Sequence, residues 1–340
     1  MLPKVDSSAT SSHVVSQSIE GSLPAYVLPP WKQLENTPTR RIKGRFDELS
    51  KIRKYRESIP DWMDELGTKA LGEQQWTTEI AALNRPAQVV LRTNTLKTDR
   101  SGLQQRLQEE GIETLVLGNH PYGLQLKERK NVFRTQAFKD GLFEVQDASS
   151  QLVAPFLDTR PGHRVVDACA GAGGKSLHLA AIMQNKGQLI AMDVYESQLK
   201  KLKIRARRNG VFNIEPRAIH STKVIKKLHE KADRVLLDAP CSGLGVLRRN
   251  PDTKWKLTPA FFERIQKVQQ DILHNYSKMV KPGGQMVYAT CSILPQENEV
   301  QVQSFLKTDA GKAFALTDER HILASTSGFD GFYMALLKKK

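Results

Sequence analysis

From about residue 148 to the C-terminus, short runs rich in Val, Leu and Ile alternate with amphipathic stretches of helical period. Arg164–Asp167, Gln188–Asp193, Asp233–Asp238 and Gly284–Thr290 read as strands. Between them Leu177, Ala180 and Met183, then Leu199, Leu202 and Ala206, then Phe261, Ile265, Val268, Ile272 and Tyr276 recur at the spacing of helices with one buried face. Strands without polar alternation are buried on both faces, and parallel neighbours need a crossover between them. The predicted fold of residues 148–340 is therefore α/β, a doubly wound, mostly parallel sheet. Upstream the texture differs. A strand at Val89–Asn94, a helix at Ser101–Glu110 and short β-rich runs at 113–117, 124–126 and 142–145 predict a small α+β subdomain over residues 87–147. Residues 25–86 read as a basic and helical segment, with Trp62, Leu66, Ala70 and Trp76 at helical spacing. The Ser-rich residues 1–24 read as a disordered tail.

The first strand of the α/β region runs into Ala168-Cys169-Ala170-Gly171-Ala172-Gly173-Gly174-Lys175-Ser176. Glycines let the backbone turn sharply and approach a ligand at the first strand-to-helix crossing. A Walker A loop is excluded, because Cys169 stands where its first glycine is required. The dinucleotide fingerprint fails too, its third glycine falling two positions early. What remains is Asp-x-x-x-Gly-x-Gly-Gly, with an acid, Asp193, closing the next strand. A carboxylate there accepts hydrogen bonds from ribose hydroxyls, which suits S-adenosylmethionine, an adenosine without a pyrophosphate.

Asp238-Ala239-Pro240-Cys241-Ser242-Gly243 begins at the end of one predicted strand, and Thr290-Cys291-Ser292 ends another. Both cysteines thus fall on the strand-end edge that carries the glycine loop. Methylation of a pyrimidine at C5 needs this set. That carbon is a poor nucleophile until a thiolate adds to C6, and a carboxyl group must protonate or hydrogen-bond N3 as charge develops there. Only a flipped or single-stranded base can reach such a site.

These motifs resemble the RNA cytosine-5 methyltransferases of the Sun/RsmB/Nop type. The matching stretches are Val145–Ser150, Cys169–Lys175, Asp238–Gly243, Arg248–Asp252 with Lys254-Trp255, and Tyr288–Ser292 with Glu297-Asn298. The resemblance covers residues 60–337 and implies a Rossmann-like S-adenosylmethionine-dependent methyltransferase fold. It implies that Cys291 is the nucleophile, that Cys241 assists release of the methylated RNA, and that Asp238 holds the cytosine edge. It further implies that Cys169, Ala170, Gly171, Ala172, Gly173, Gly174 and Lys175 line the cofactor site with Asp193 and Asp238. His220 stands where the family usually has an aspartate facing the adenine, so weaker, pH-sensitive cofactor binding is expected. No metal-ligand set is read from the sequence. Ribosomal RNA is favoured over transfer RNA as the substrate. A non-catalytic RNA-binding or ribosome-assembly factor retaining the fold, and a transfer-RNA cytosine-5 methyltransferase, stay open as alternatives. A DNA cytosine-5 methyltransferase is disfavoured, since about 40 residues separate Cys241 from Gly283 and leave no room for a recognition insert.

Charge narrows the partner. There are 51 Lys and Arg against 36 Asp and Glu, a net charge of +15 that favours a polyanion. Residues 200–256 alone hold 16 basic and 5 acidic residues, which predicts phosphates running past the catalytic edge, with the basic stretch at 40–56 a secondary contact. The three cysteines, an odd number and well spaced, suit a reducing, cytoplasmic setting. No secretory leader or apolar run of about 18 residues is read, so no membrane partner is expected. A monomer is the expected state.

Overall fold

The structure, a computed structural model, describes residues 37–340. The tail expected at 1–24 and the start of the 25–86 segment lie outside the described residues. Four short strands, β1 (Val90–Thr93), β2 (Thr114–Val116), β3 (Gly123–Leu126) and β4 (Phe143–Val145), form an antiparallel sheet in the order β2-β3-β1-β4. The helix Arg100–Glu109 buries Leu103 and Leu107 on it, beside Leu91, Leu124 and Phe143.

Seven further strands form the main sheet: β5 (Arg164–Asp167), β6 (Gln188–Asp193), β7 (Ile214–Ala218), β8 (Ala232–Asp238), β9 (Val280–Thr290), β10 (Phe314–Ile322) and β11 (Phe332–Lys339). Their order is β10-β11-β9-β8-β5-β6-β7, with β7 through β9 parallel and β11 antiparallel to both β9 and β10. The sheet is doubly wound and mostly parallel, as the alternation predicts. Two-sided burial explains the unbroken apolar runs. Val166, Ile190, Val235, Leu237 and Tyr288 share one core with the helix Pro259–Tyr276. Val165, Leu189, Leu236 and Val287 share the other with the helix Gly174–Ile182.

Winding proceeds from β5 outward to β7 and then restarts at β8 on the other side of β5. The loops after β5 and β8 therefore diverge from adjacent strands, the place where open α/β sheets bind ligands. Hydrogen bonds beyond the strands hold these loops in register: Ala168 N to Leu236 O (2.9 Å), Ala170 N to Met192 O (2.9 Å) and Ala239 N to Ala289 O (2.8 Å).

Two N-terminal helices, Asp61–Leu71 and Glu73–Leu83, divide at Gly72, whose φ is +80°. Trp76 lies flat on Gly67, where a Cβ would sit 2.3 Å from the indole ring. With Ile59, Met63, Ile80 and Leu83 these helices share a core with Leu244, Leu247, Phe262 and Leu294, so they pack on the large α/β unit. The basic stretch at 40–56 splits. The helix Thr39–Ser50 buries nothing, whereas Arg53 binds Asp64 (2.6 Å), Thr68 (2.7 Å) and Glu73.

The small sheet grips the α/β unit at the C-terminus of the helix Glu196–Asn209. Asn94 Nδ2 donates to Asn209 O (2.9 Å) and Lys97 Nζ to Arg208 O (2.7 Å), so the helix's last carbonyls find donors. Gly141 (φ +71°) lets the backbones meet there, since a Cβ would stand 2.1 Å from Arg208 O. β10 and β11 make an antiparallel pair whose connection spans residues 323–331, and Gly331 packs against Gly245. The consecutive charges Asp318, Glu319 and Arg320 hid β10 from the apolar pattern. Among the described residues no helix is long and apolar enough to cross a membrane.

Candidate active site

In the loop after β5, Gly171 (φ +51°) and Gly173 (φ +88°) both occupy left-handed backbone. They differ in purpose. A Cβ on Gly173 would meet Leu202 Cγ at 2.7 Å, so that glycine serves helix packing. A Cβ on Gly171 or Gly174 would meet nothing within 4 Å, so those two border open space. Asp193, 7% exposed at the end of β6, accepts from Gly171 N (2.7 Å) and Tyr195 N (2.8 Å), and burial pushes its pKa up. An open glycine face beside a carboxylate at the switch point fits the ribose of S-adenosylmethionine. Arg92 from β1 donates to Gly174 O (2.6 Å) and Arg205 to Ala172 O (2.8 Å), which fixes the loop from outside. Cys169 packs partly against the core beneath, its thiol pushed up by burial. His220 follows β7 with its side chain largely exposed, and its Nε2 lies 3.2 Å from Glu196 Oε1. The flank that lacks an acid after β7 thus has one at the start of the preceding helix, a pairing across 24 residues that strand-end reading does not find.

Asp167 closes β5, fully buried, and accepts from Ser176 Oγ at 2.6 Å. Burial pushes its pKa up to about 7. The folded chain then holds a proton that an unfolded aspartate, near about 4, gives up between those values. This contribution is full below that window and lost as pH rises through it. Asp167→Asn keeps an acceptor for Ser176 and is expected to gain thermal stability relative to the wild type as pH rises from about 5 to about 8. A pH-independent difference in melting temperature would contradict this.

Across the switch point, Asp238 Oδ2 pairs with Lys175 Nζ at 2.6 Å, and that ammonium lies 5.0 Å from the Phe332 ring centroid. Cys241 Sγ and Cys291 Sγ stand 3.3 Å apart although 50 residues separate them. The hydrogen bond with Cys291, then burial, raises the Cys241 pKa well above that of an ordinary thiol. Cys241 therefore keeps its proton, and across the 3.3 Å contact either sulfur can act as the donor.

Two buried groups hold the cysteine loops together. Glu297 accepts from Ser242 N (2.7 Å), Ser242 Oγ (2.5 Å) and Gln269 Nε2 (3.1 Å), and burial raises its pKa. Asn298 receives Thr290 Oγ1 (2.5 Å) and donates to Ser292 O (3.0 Å). Gly245 N donates to Cys291 O (2.9 Å), and Gly331 N to Gly245 O (2.8 Å). A Cβ on Gly245 would lie 2.2 Å from Gly331 O and 2.7 Å from Cys291 O. Gly245→Ala must move the strand end that carries Cys291. Its expected cost is about 1–3 kcal/mol, with methyl transfer falling more than stability; a variant with wild-type turnover would refute it.

The structure assembles Cys169–Lys175, Asp193, Asp238, Cys241 and Cys291 at one edge, while His220 sits at its margin. Lys175, expected at the cofactor site, is 11% exposed and bound to Asp238. In the 252–256 segment Trp255 is 47% exposed, whereas the neighbouring Lys254, whose anchoring role sequence reasoning missed, is 5% exposed and donates to Glu57 O (2.9 Å) and Asn84 Oδ1 (2.8 Å). The Asp147–Arg249 (2.8 Å) and Arg249–Asp330 (2.5 Å) pairs were likewise missed, because each bridges segments distant in the chain.

The family model described as 16S rRNA methyltransferase RsmB/F matches residues 154–338. A second, described as the RsmF/B-like ferredoxin-like domain, matches residues 59–133. The chain belongs to the RsmB/F family. A probable ribosomal RNA small subunit methyltransferase B of Synechocystis is 37% identical over 298 residues, 83% of this chain and 67% of the relative. The ribosomal RNA small subunit methyltransferase B of Escherichia coli is 31% identical over 336 residues, 96% of this chain and 77% of the relative. A solved methyltransferase homologue from Pyrococcus horikoshii, 27% identical, superposes with a TM-score of 0.75 over 85% of this chain and 98% of its own. The α/β unit is accordingly the Rossmann-like fold of S-adenosylmethionine-dependent methyltransferases, and the RsmB/F ferredoxin-like match overlaps the small sheet from β1 to β3.

Proposed function

We propose that the chain methylates C5 of a cytosine in ribosomal RNA, with Cys291 as nucleophile. The observation that carries this reading is the thiol pair, 3.3 Å apart, at the strand-end edge that also carries Asp238 and the glycine loop. In this reading the Cys291 thiolate bonds to C6 of a flipped cytosine, and the electron pair of the C5–C6 bond shifts toward C5. Asp238 accepts from the exocyclic amine or, when protonated, donates at N3, while Lys175 keeps its carboxylate in place. Bound S-adenosylmethionine supplies the electrophilic methyl group; Gly171, Gly174 and Asp193 would hold its adenosine. After C5 is methylated its proton leaves to a base, the pair returns to the C5–C6 bond, and the C6–S bond breaks to restore the Cys291 thiolate. Cys241, the neighbouring sulfur, serves that release.

The Rossmann-like frame alone would also serve a factor that binds RNA without turnover, but such a factor has no use for two apposed thiols. Incubation with ribosomal RNA and methyl-labelled cofactor, followed by digestion to nucleosides, is expected to give labelled 5-methylcytidine. Label on a ribose, on another base, or on transfer RNA alone would overturn the reading. Substituting His220→Asp tests the cofactor margin: tighter S-adenosylmethionine binding is expected, and equal affinity would assign that role to Glu196.

A further inference from the structure

The basic residues of 200–256 are not one surface. Many are committed to structure: Arg217 to Glu215, Arg234 to Asp158, Arg249 to Asp147 and Asp330, Lys256 to Asp252, and Lys254 buried against Glu57 O. Arg205 and Arg208 turn inward to Glu144. Part of what is left lies on one helix. The helix Glu196–Asn209 buries Leu199, Leu202 and Ala206 and turns Lys200, Lys203, Ile204 and Arg207 outward. That i, i+3, i+4, i+7 set is one stripe, roughly 10 Å long at about 1.5 Å per residue. None of its three cations has an ion-pair partner among the described residues, and the only acid of the helix is Glu196. Ile204 in mid-stripe is 72% exposed, and Phe212, just past the helix, is 80% exposed. A merely solvated face has no reason to hold one large apolar side chain in water between unpaired cations and a second just past the helix end.

We propose that this stripe, together with Phe212, docks a segment of the RNA remote from the target nucleotide. Lys200, Lys203 and Arg207 take phosphates, and Ile204 and Phe212 pack on sugars or bases. Direction supports remoteness: the helix leaves the cofactor edge after β6 and ends at the opposite edge, before β7. The inference rests on the RNA-substrate reading above, and its partner is RNA because the stripe is cationic with no acid in it.

The test compares wild type, the triple variant Lys200→Gln/Lys203→Gln/Arg207→Gln, and Phe212→Ser, each first checked for wild-type melting temperature and cofactor affinity. Affinity for naked small-subunit ribosomal RNA is then measured against salt. Loss of three phosphate contacts is expected to flatten the log–log slope by about 2–3. Phe212→Ser should weaken binding with the slope unchanged. In turnover, the triple variant should raise KM for the full-length RNA and spare kcat. A slope and KM equal to wild type would overturn the proposal. So would unchanged binding to naked RNA with weaker binding to an assembling ribosomal particle, which would make the partner a protein. Failure of the parent reading shows separately, as absence of 5-methylcytidine from wild-type reactions, because the binding slopes need no turnover.

Discussion

Cys291→Ala is expected to abolish both methyl transfer and the covalent RNA adduct, whereas Cys241→Ala is expected to accumulate that adduct. Removing the nucleophile of a covalent mechanism costs on the order of 10⁴–10⁶ in turnover, because no other group adds to C6. The two outcomes are opposite in kind although the sulfurs are 3.3 Å apart. In the proposed mechanism Cys241, held protonated beside Cys291, is the thiol that stays behind when C6 is attacked. Without it the adduct forms but release slows. Denaturing gels of enzyme mixed with RNA and cofactor distinguish the variants: a retarded band should be absent for Cys291→Ala and strong for Cys241→Ala. A retarded band from Cys291→Ala would reverse the assignment, and the same weak band from both would remove the division of labour.

Glu144→Ala carries the largest expected stability effect. Glu144 lies on β4, 3% exposed, and binds Arg205 (2.9 Å), Arg208 and Asn209 Nδ2 (2.6 Å). Desolvation opposes its charge, but the two guanidiniums and the amide outweigh it, and its pKa is lowered. Truncation leaves two half-buried cations facing each other across an empty site. Breaking a buried pair from one side costs about 3–5 kcal/mol; both arginines are partly exposed, so about 3 kcal/mol is expected. Because Arg205 also holds Ala172 O, cofactor affinity should fall in the same variant. Thermal melts and cofactor titration measure the two effects. Loss of stability with unchanged affinity would mean that the small sheet braces the fold without shaping the glycine loop. The folded pKa is depressed, so this stabilisation is present above the unfolded value and is lost as pH falls through the folded one.

Much of this was legible from the chain. Two-sided burial writes β5, β6 and β8 as continuous apolar runs, and parallel pairing demands helices between them, so sheet class and the edge carrying the loops follow from pattern alone. The glycine loop, Asp193, Asp238 and both cysteines were legible because each falls at a strand end. Edge strand β10 was not, since its outer residues are charged, and neither were the partners of Lys175 and Lys254, which are distant in sequence.

The sequence by itself determined which chemistry is on offer: a cofactor loop, an acid and two thiols, each next to a strand that local periodicity defines. Only the tertiary structure decided how they meet. It set the cysteines in contact, tied Lys175 to Asp238, separated paired cations from the free stripe on Glu196–Asn209, and hung the glycine loop on Arg92 and on Arg205, whose partner is Glu144 in the other sheet. The reason is physical. Hydrophobic period is a property of neighbours along the chain, whereas hydrogen bonds and ion pairs form between groups that packing brings together across 50 residues or more.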